Sequence, residues 1–181
     1  RLWTLHASED DEYMVTGRQT ALLGGHLGAV WSVGIGLDVA VSGSHDATCQ
    51  IWPLSASGSQ VRSIGTMEHP TNVYSVSVEG DAAATACGDK IVRLWSISSC
   101  TCLRQMEHCA ALPGGRRLSL GEGLETDAKA FRDGLFPFCV HLAGAVLVSG
   151  GGPDKNVKVW NLADTYSTVG TDNESVTTLA H

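Results

Sequence analysis

No apolar run in this sequence approaches the ~18 residues that a membrane-spanning helix needs, and Arg1-Leu2-Trp3 does not open a signal peptide. Basic charge is also short: 12 Lys and Arg stand against 19 Asp and Glu, a net charge of −7. A nucleic-acid binder would carry a basic face, so that class is excluded. Aromatics make up only 6% of the 181 residues and there are only 5 prolines, whereas Gly reaches 21. Many short strands broken by Gly-rich turns suit that balance. A C-x-x-C zinc knuckle is missing too, and Cys100-Thr101-Cys102 with His108-Cys109 matches no standard ligand spacing. Cys49, Cys87 and Cys139 sit at or beside strand positions, where a reduced thiol acts as a small hydrophobe. No metal or other cofactor is expected, and the thiols point to an intracellular protein, cytoplasmic or nuclear.

What is present is a repeated hairpin. Ser42-Gly43-Ser44-His45-Asp46-Ala47-Thr48-Cys49-Gln50-Ile51-Trp52 reads as strand, turn and strand. Thr85 to Trp95 has the same shape, and Ser149 to Trp160 has it with one residue added in the turn. The step from Asp to Trp is 6 residues in each, at Asp46/Trp52, Asp89/Trp95 and Asp154/Trp160. A His stands ahead of each hairpin. His26 and His69 both precede their Trp by 26 residues, whereas His108 precedes Trp160 by 52. The excess falls in an insertion between His108 and Pro137, apart from the one residue added in the Asp154 turn. Such a period, of roughly 40–45 residues, is the mark of a propeller.

The intervening chain fits four-stranded units. Residues 1–23 read as the last part of a preceding blade, with a polar connection from Ala7 to Arg18 that carries Glu9-Asp10-Asp11-Glu12. Residues 24–66 form a blade, with Val30, Val33 and Ile35 on its inner strand and Val61 to Ile64 as its outer strand. Residues 67–106 form the next, with Val73, Val76 and Val78 in the same register. Residues 107–136 are the insertion, with a short helix from Thr126 to Leu135 and a basic-directed kinase pattern, Arg116-Arg117-Leu118-Ser119. Residues 137–171 form a third blade, with an outer strand closing at Val169, and 172–181 begin a link to another. Asn173-Glu174-Ser175 fits a glycosylation sequon, silent in an intracellular protein. Three and a half blades do not close a ring, so the chain reads as part of a longer protein.

Gly25-His26, Val30, Val33, Ile35, Ser42-Gly43-Ser44-x-Asp46 and Ile51-Trp52 together resemble the WD repeat of β-propellers. The resemblance implies an all-β fold of four-stranded antiparallel blades. It also implies a chain of hydrogen bonds in each blade, from Trp indole to Ser or Thr hydroxyl to His to Asp. The sets would be His26/Ser42/Asp46/Trp52, His69/Thr85/Asp89/Trp95 and His108/Ser149/Asp154/Trp160. A repeated Ser-His-Asp combination of this sort is structural, not a nucleophilic triad, and no catalytic residue is expected. The residue after each Trp is Pro53, Ser96 or Asn161, not the family's Asp, and no Trp-Asp-x-Arg motif occurs.

The function implied is a non-catalytic scaffold for protein–protein interaction, with proteins or peptides as partners and neither nucleic acid, membrane nor small molecules. The alternative is the substrate-receptor propeller of a ubiquitin ligase. F-box receptors of that class hold phosphopeptides with Arg at two top-face positions. Here those positions carry Trp31, Tyr74 and Phe138, then His45, Gly88 and Pro153. The three aromatics share one register at the start of the inner strand. They either line a partner-binding rim or pack between neighbouring blades.

Overall fold

The computed structural model describes residues 1–7, 15–108, 139–151, 156–163 and 177–180. Residues 109–136 of the insertion, with the helix expected from Thr126 to Leu135 and Ser119, lie outside them, as do Phe138, Asp154, Val169 and the sequon. The regular elements among the described residues are strands. The first blade holds β3 (Val30–Ile35), β4 (Val39–Ser44), β5 (Thr48–Pro53) and β7 (Gly65–Glu68); the second holds β8 (Val73–Glu79), β9 (Ala82–Cys87), β10 (Ile91–Ser96) and β11 (Thr101–Glu107). The third holds β12 (Cys139–Ala143), β13 (Val146–Gly150), β14 (Asn156–Asn161) and β15 (Thr177–Ala180). Every pairing within these three sheets is antiparallel. A smaller sheet joins β1 (Leu2–Ala7), β2 (Val15–Leu23) and β6 (Gly58–Val61).

The recurrent Asp has a local cause. In the β4–β5 turn, Asp46 Oδ1 accepts the Thr48 N–H at 3.0 Å, and in the β9–β10 turn Asp89 Oδ1 accepts the Ile91 N–H at 3.1 Å. A short carboxylate bonding the backbone two residues on mimics a backbone turn. The residue between takes the left-handed conformation, with φ of 65° at Ala47 and 72° at Lys90. That turn also receives the next repeat: the His69 N–H donates to the Ala47 carbonyl and the His108 N–H to the Lys90 carbonyl, both at 2.9 Å.

Neighbouring blades pack through two apolar layers. Val41, Cys49, Ile51 and Met67 of the first blade meet Val73, Val76, Ala83, Trp95 and Ile97. Ala84, Ala86, Val92, Leu94 and Met106 on the other face of the second meet Val140, Leu142, Leu147, Trp160 and Leu162. Inner strands are also bonded directly. Ser32 Oγ accepts the Val76 N–H at 3.0 Å, and Ser77 Oγ accepts the Leu142 N–H at 3.0 Å. The layers leave no slack at Gly43, where a Cβ would stand 2.8 Å from both Val73 Cγ1 and Val76 Cγ2. Gly43→Ala is therefore expected to cost about 1–3 kcal/mol by overpacking. Chemical denaturation reads this directly, and an unchanged midpoint would mean the two valines can step aside.

Three strand limits differ from the sequence reading. β2 begins at Val15, so the last four residues of the connection expected through Arg18 are strand: Thr16 pairs with His6 and Arg18 with Thr4. Residues 15–19 are exposed, and a strand wetted on both faces carries no alternation to read. The outer strand of the first blade is Gly65–Glu68, not Val61 to Ile64. Met67 is its buried anchor opposite Cys49, whereas Ile64 is exposed, and Gly58–Val61 instead runs parallel to β2. The fourth strand of the third blade is Thr177–Ala180, beyond the limit of 171 and inside the stretch expected as a link.

A buried hydrogen-bonded lock in each blade

In the first blade, Trp52 Nε1–H donates to Ser42 Oγ at 2.8 Å. The Ser42 hydroxyl donates to His26 Nε2 at 2.7 Å, and His26 Nδ1–H donates to Asp46 Oδ2 at 2.8 Å. Asp46 also accepts the Leu27 N–H at 2.8 Å and the Thr48 hydroxyl at 2.7 Å. Burial works to raise the Asp46 pKa, but the hydrogen bonds from Thr48, Leu27 and His26 outweigh it and hold the carboxyl well below the usual range. A charged acceptor thus terminates this chain of hydrogen bonds.

The second blade begins in the same way. Trp95 Nε1–H donates to Thr85 Oγ1 at 3.1 Å, and the Thr85 hydroxyl to His69 Nε2 at 2.9 Å. It ends differently, which corrects the expectation that His69 meets Asp89. His69 Nδ1–H donates to the Met67 carbonyl at 3.1 Å, and Asp89 takes both guanidinium nitrogens of Arg93. The cause is Arg93 itself, a buried cation four residues after Asp89 whose planar fork matches a carboxylate. Burial depresses the His69 imidazole to about 4 against the pull of the Met67 carbonyl, with Arg93 adding to the depression.

In the third blade, Trp160 Nε1–H donates to Ser149 Oγ and the Ser149 hydroxyl to His108 Nδ1, each at 2.8 Å. His108 Nε2–H donates to the Gly151 carbonyl at 2.6 Å. His108 and Ser149 are therefore brought together across the insertion; the fourth member, Asp154, lies outside the described residues.

Arg93 is not one of the residues that the repeat singles out. Its position, two before the Trp, is polar in every blade: Gln50, Arg93 and Lys158. The three side chains behave differently. Gln50 Oε1 is buried with no hydrogen-bond partner among the described residues, Arg93 holds Asp89, and Lys158 Nζ lies 5.8 Å from the Trp160 ring centroid. A polar side chain recurring on the Trp-bearing side of the strand, and charged in two of the three blades, is the available signal.

Chemically the locks can do little beyond holding register. Ser42, Thr85 and Ser149 are buried, and each hydroxyl is already occupied by a Trp donor and a His acceptor. Among the described residues no group of three or more His, Cys, Asp or Glu is placed to hold a metal. Cys49, Cys87, Cys100, Cys102 and Cys139 are free thiols, and burial pushes Cys87 up to about 11.

The surface feature is aromatic. Trp31 on β3 is 53% exposed and Tyr74 on β8 is half-buried, with ring centroids 6.4 Å apart at 55°. Phe138, the third member expected, is not among the described residues.

Four-stranded antiparallel blades packed face to face define a β-propeller architecture. Residues 17–53 and 58–96 match the family model described as WD domain, G-beta repeat, so the chain carries WD40-type repeats in these two places. No curated protein matches the sequence. Among solved structures, the computationally designed Ika4 protein is similar with a TM-score of 0.60 and 18% identity, over 81% of this chain and 74% of that one. The designed Ika8 protein is similar with a TM-score of 0.64 and 17% identity, over 92% of this chain and 41% of that one. At such identity the likeness concerns fold. WD40 domains typically bind proteins or peptides, and the family is generally non-catalytic.

Proposed function

We propose that this chain is a non-catalytic scaffold that holds protein or peptide partners on a rim built from Trp31 and Tyr74. The observation that carries the reading is an exposed Trp beside a half-buried Tyr, at matching positions of adjacent inner strands. Rigid aromatics of this kind provide large contact area at low entropic cost. Participation in a larger propeller is supported by β3. Its Val30, Val33 and Ile35 are 50%, 66% and 66% exposed, whereas their counterparts Val73 and Val76 in the second blade are 0% and 6% exposed. The free thiols support an intracellular setting. Probing a peptide array with the wild type and with Trp31→Ala/Tyr74→Ala tests the rim. Capture should fall at least ~10-fold while the melting temperature holds, since rim anchors supply on the order of 1.4 kcal/mol or more. A large fall in melting temperature with capture retained would make the pair packing residues and end the rim reading.

A further inference from the structure

We propose that, of the first two blades, the second is the acid-sensitive one, because Arg93 has drawn the Asp89 carboxylate away from His69 and left the imidazole no anionic partner. His69 is buried and its surroundings are few. Met67 of β7 offers a carbonyl, Thr85 of β9 a hydroxyl, and Trp95 of β10 its ring, with centroids 4.9 Å apart. Two charged groups act on it, Asp89 from the β9–β10 turn and Arg93 from β10, and these are paired with each other.

A carbonyl cannot donate, so His69 Nδ1 carries the proton and Nε2 accepts from Thr85. Adding a second proton at Nε2 reverses that bond. Thr85 Oγ1 would then accept from both Trp95 and His69, and its own hydroxyl proton would need a new acceptor inside a fully buried site. The first blade differs at one point. An imidazolium at His26 would face the Asp46 carboxylate at 2.8 Å, because the residue in Arg93's place is the uncharged Gln50. Two adjacent repeats with the same His, Ser or Thr, Asp and Trp spacing thus meet acid differently, and the difference traces to one side chain.

The sign follows from the depressed His69 pKa. Its folded value of about 4 lies below the unfolded value near 6.5. The unfolded state therefore binds more protons between those limits. The stabilisation from neutral His69 is complete above roughly pH 6.5 and is lost as pH falls from there toward 4. Tyr74 stands on β8 of the same blade, so the rim proposed above would feel the loosening; the titration below reads the lock without any partner.

NMR titration of the histidine rings in the protein tests this, with the His26 ring followed in the same spectra. The His69 midpoint should lie at least ~1 pH unit below that of an ordinary histidine. Arg93→Gln, which copies the first blade, should free Asp89 for His69 and raise the midpoint by ~1 unit or more, a tenfold gain in proton affinity. Adding Asp89→Asn should cancel that rise, and Arg93→Lys, which keeps the cation, should leave the midpoint nearly where it was. An Arg93→Gln midpoint that does not rise overturns the proposal. If Arg93→Gln does not fold, amide hydrogen exchange of the wild type decides: protection factors in β9 and β10 should fall at least ~10-fold between pH 7 and pH 5, before those of β4 and β5. Equal losses in the two blades would overturn it as well.

Discussion

Asp89→Ala is expected to destabilise the protein by about 3–5 kcal/mol, because it strands the Arg93 guanidinium in a buried site. Arg93 is 5% exposed, and Asp89 is its ion-pair partner through both terminal nitrogens. Removing one partner of a buried pair leaves an uncompensated charge, a far larger effect than a surface ion pair gives. The turn suffers too, since Asp89 Oδ1 also holds the Ile91 N–H. Asp89→Asn should cost less, keeping that local bond while losing the charge. Lys90→Ala, one residue along, should stay within about 0.5 kcal/mol. Urea denaturation measures all three. A double-mutant cycle assigns the cause: Asp89 should couple strongly to Arg93 and weakly to His69. Strong coupling to His69 would restore the arrangement that the repeat pattern suggests.

That contrast marks how far the sequence could be read. Repetition made the hairpins legible, because Asp46 and Asp89 bond their own turns in the same way and each Trp meets a hydroxyl ten or eleven residues earlier. Local geometry of this sort depends on spacing, and spacing is visible. The His108–Ser149 link was legible across the insertion for the same reason: a lock formed from two fixed elements is indifferent to the chain between them. Competition between partners was not legible. Whether Asp89 meets His69 or Arg93 depends on relative charge and reach inside a folded blade, and both candidates stand at permitted spacings. The parallel pairing of Gly58–Val61 with β2 was hidden for another reason. It joins segments about forty residues apart through backbone groups alone, and its side chains are mostly exposed. The aromatic pair was half legible: shared register placed Trp31 and Tyr74 beside one another, but exposure depends on what covers β3.

Trp160→Ala should cost about 3–5 kcal/mol, the range for emptying a large buried aromatic site. Trp160 is 1% exposed and lies in the layer between the second and third blades, against Leu147 and the Ala84, Leu94 and Met106 face. Its loss would open a cavity there and remove the N–H that Ser149 accepts at 2.8 Å. Trp160→Phe keeps most of the apolar area and should lose about 1–3 kcal/mol, chiefly because Ser149 Oγ loses its donor. Trp3 is the internal comparison. It occupies a strand like Trp160 but is 52% exposed on β1, so Trp3→Ala should change stability by less than about 1 kcal/mol. The ordering Trp160→Ala, Trp160→Phe, Trp3→Ala, read as denaturation midpoints at constant slope, tests whether the interblade layer carries the stability of the third blade. Equal effects at Trp3 and Trp160 would mean that β1 is covered in solution, or that the layer between the blades is looser than its packing indicates.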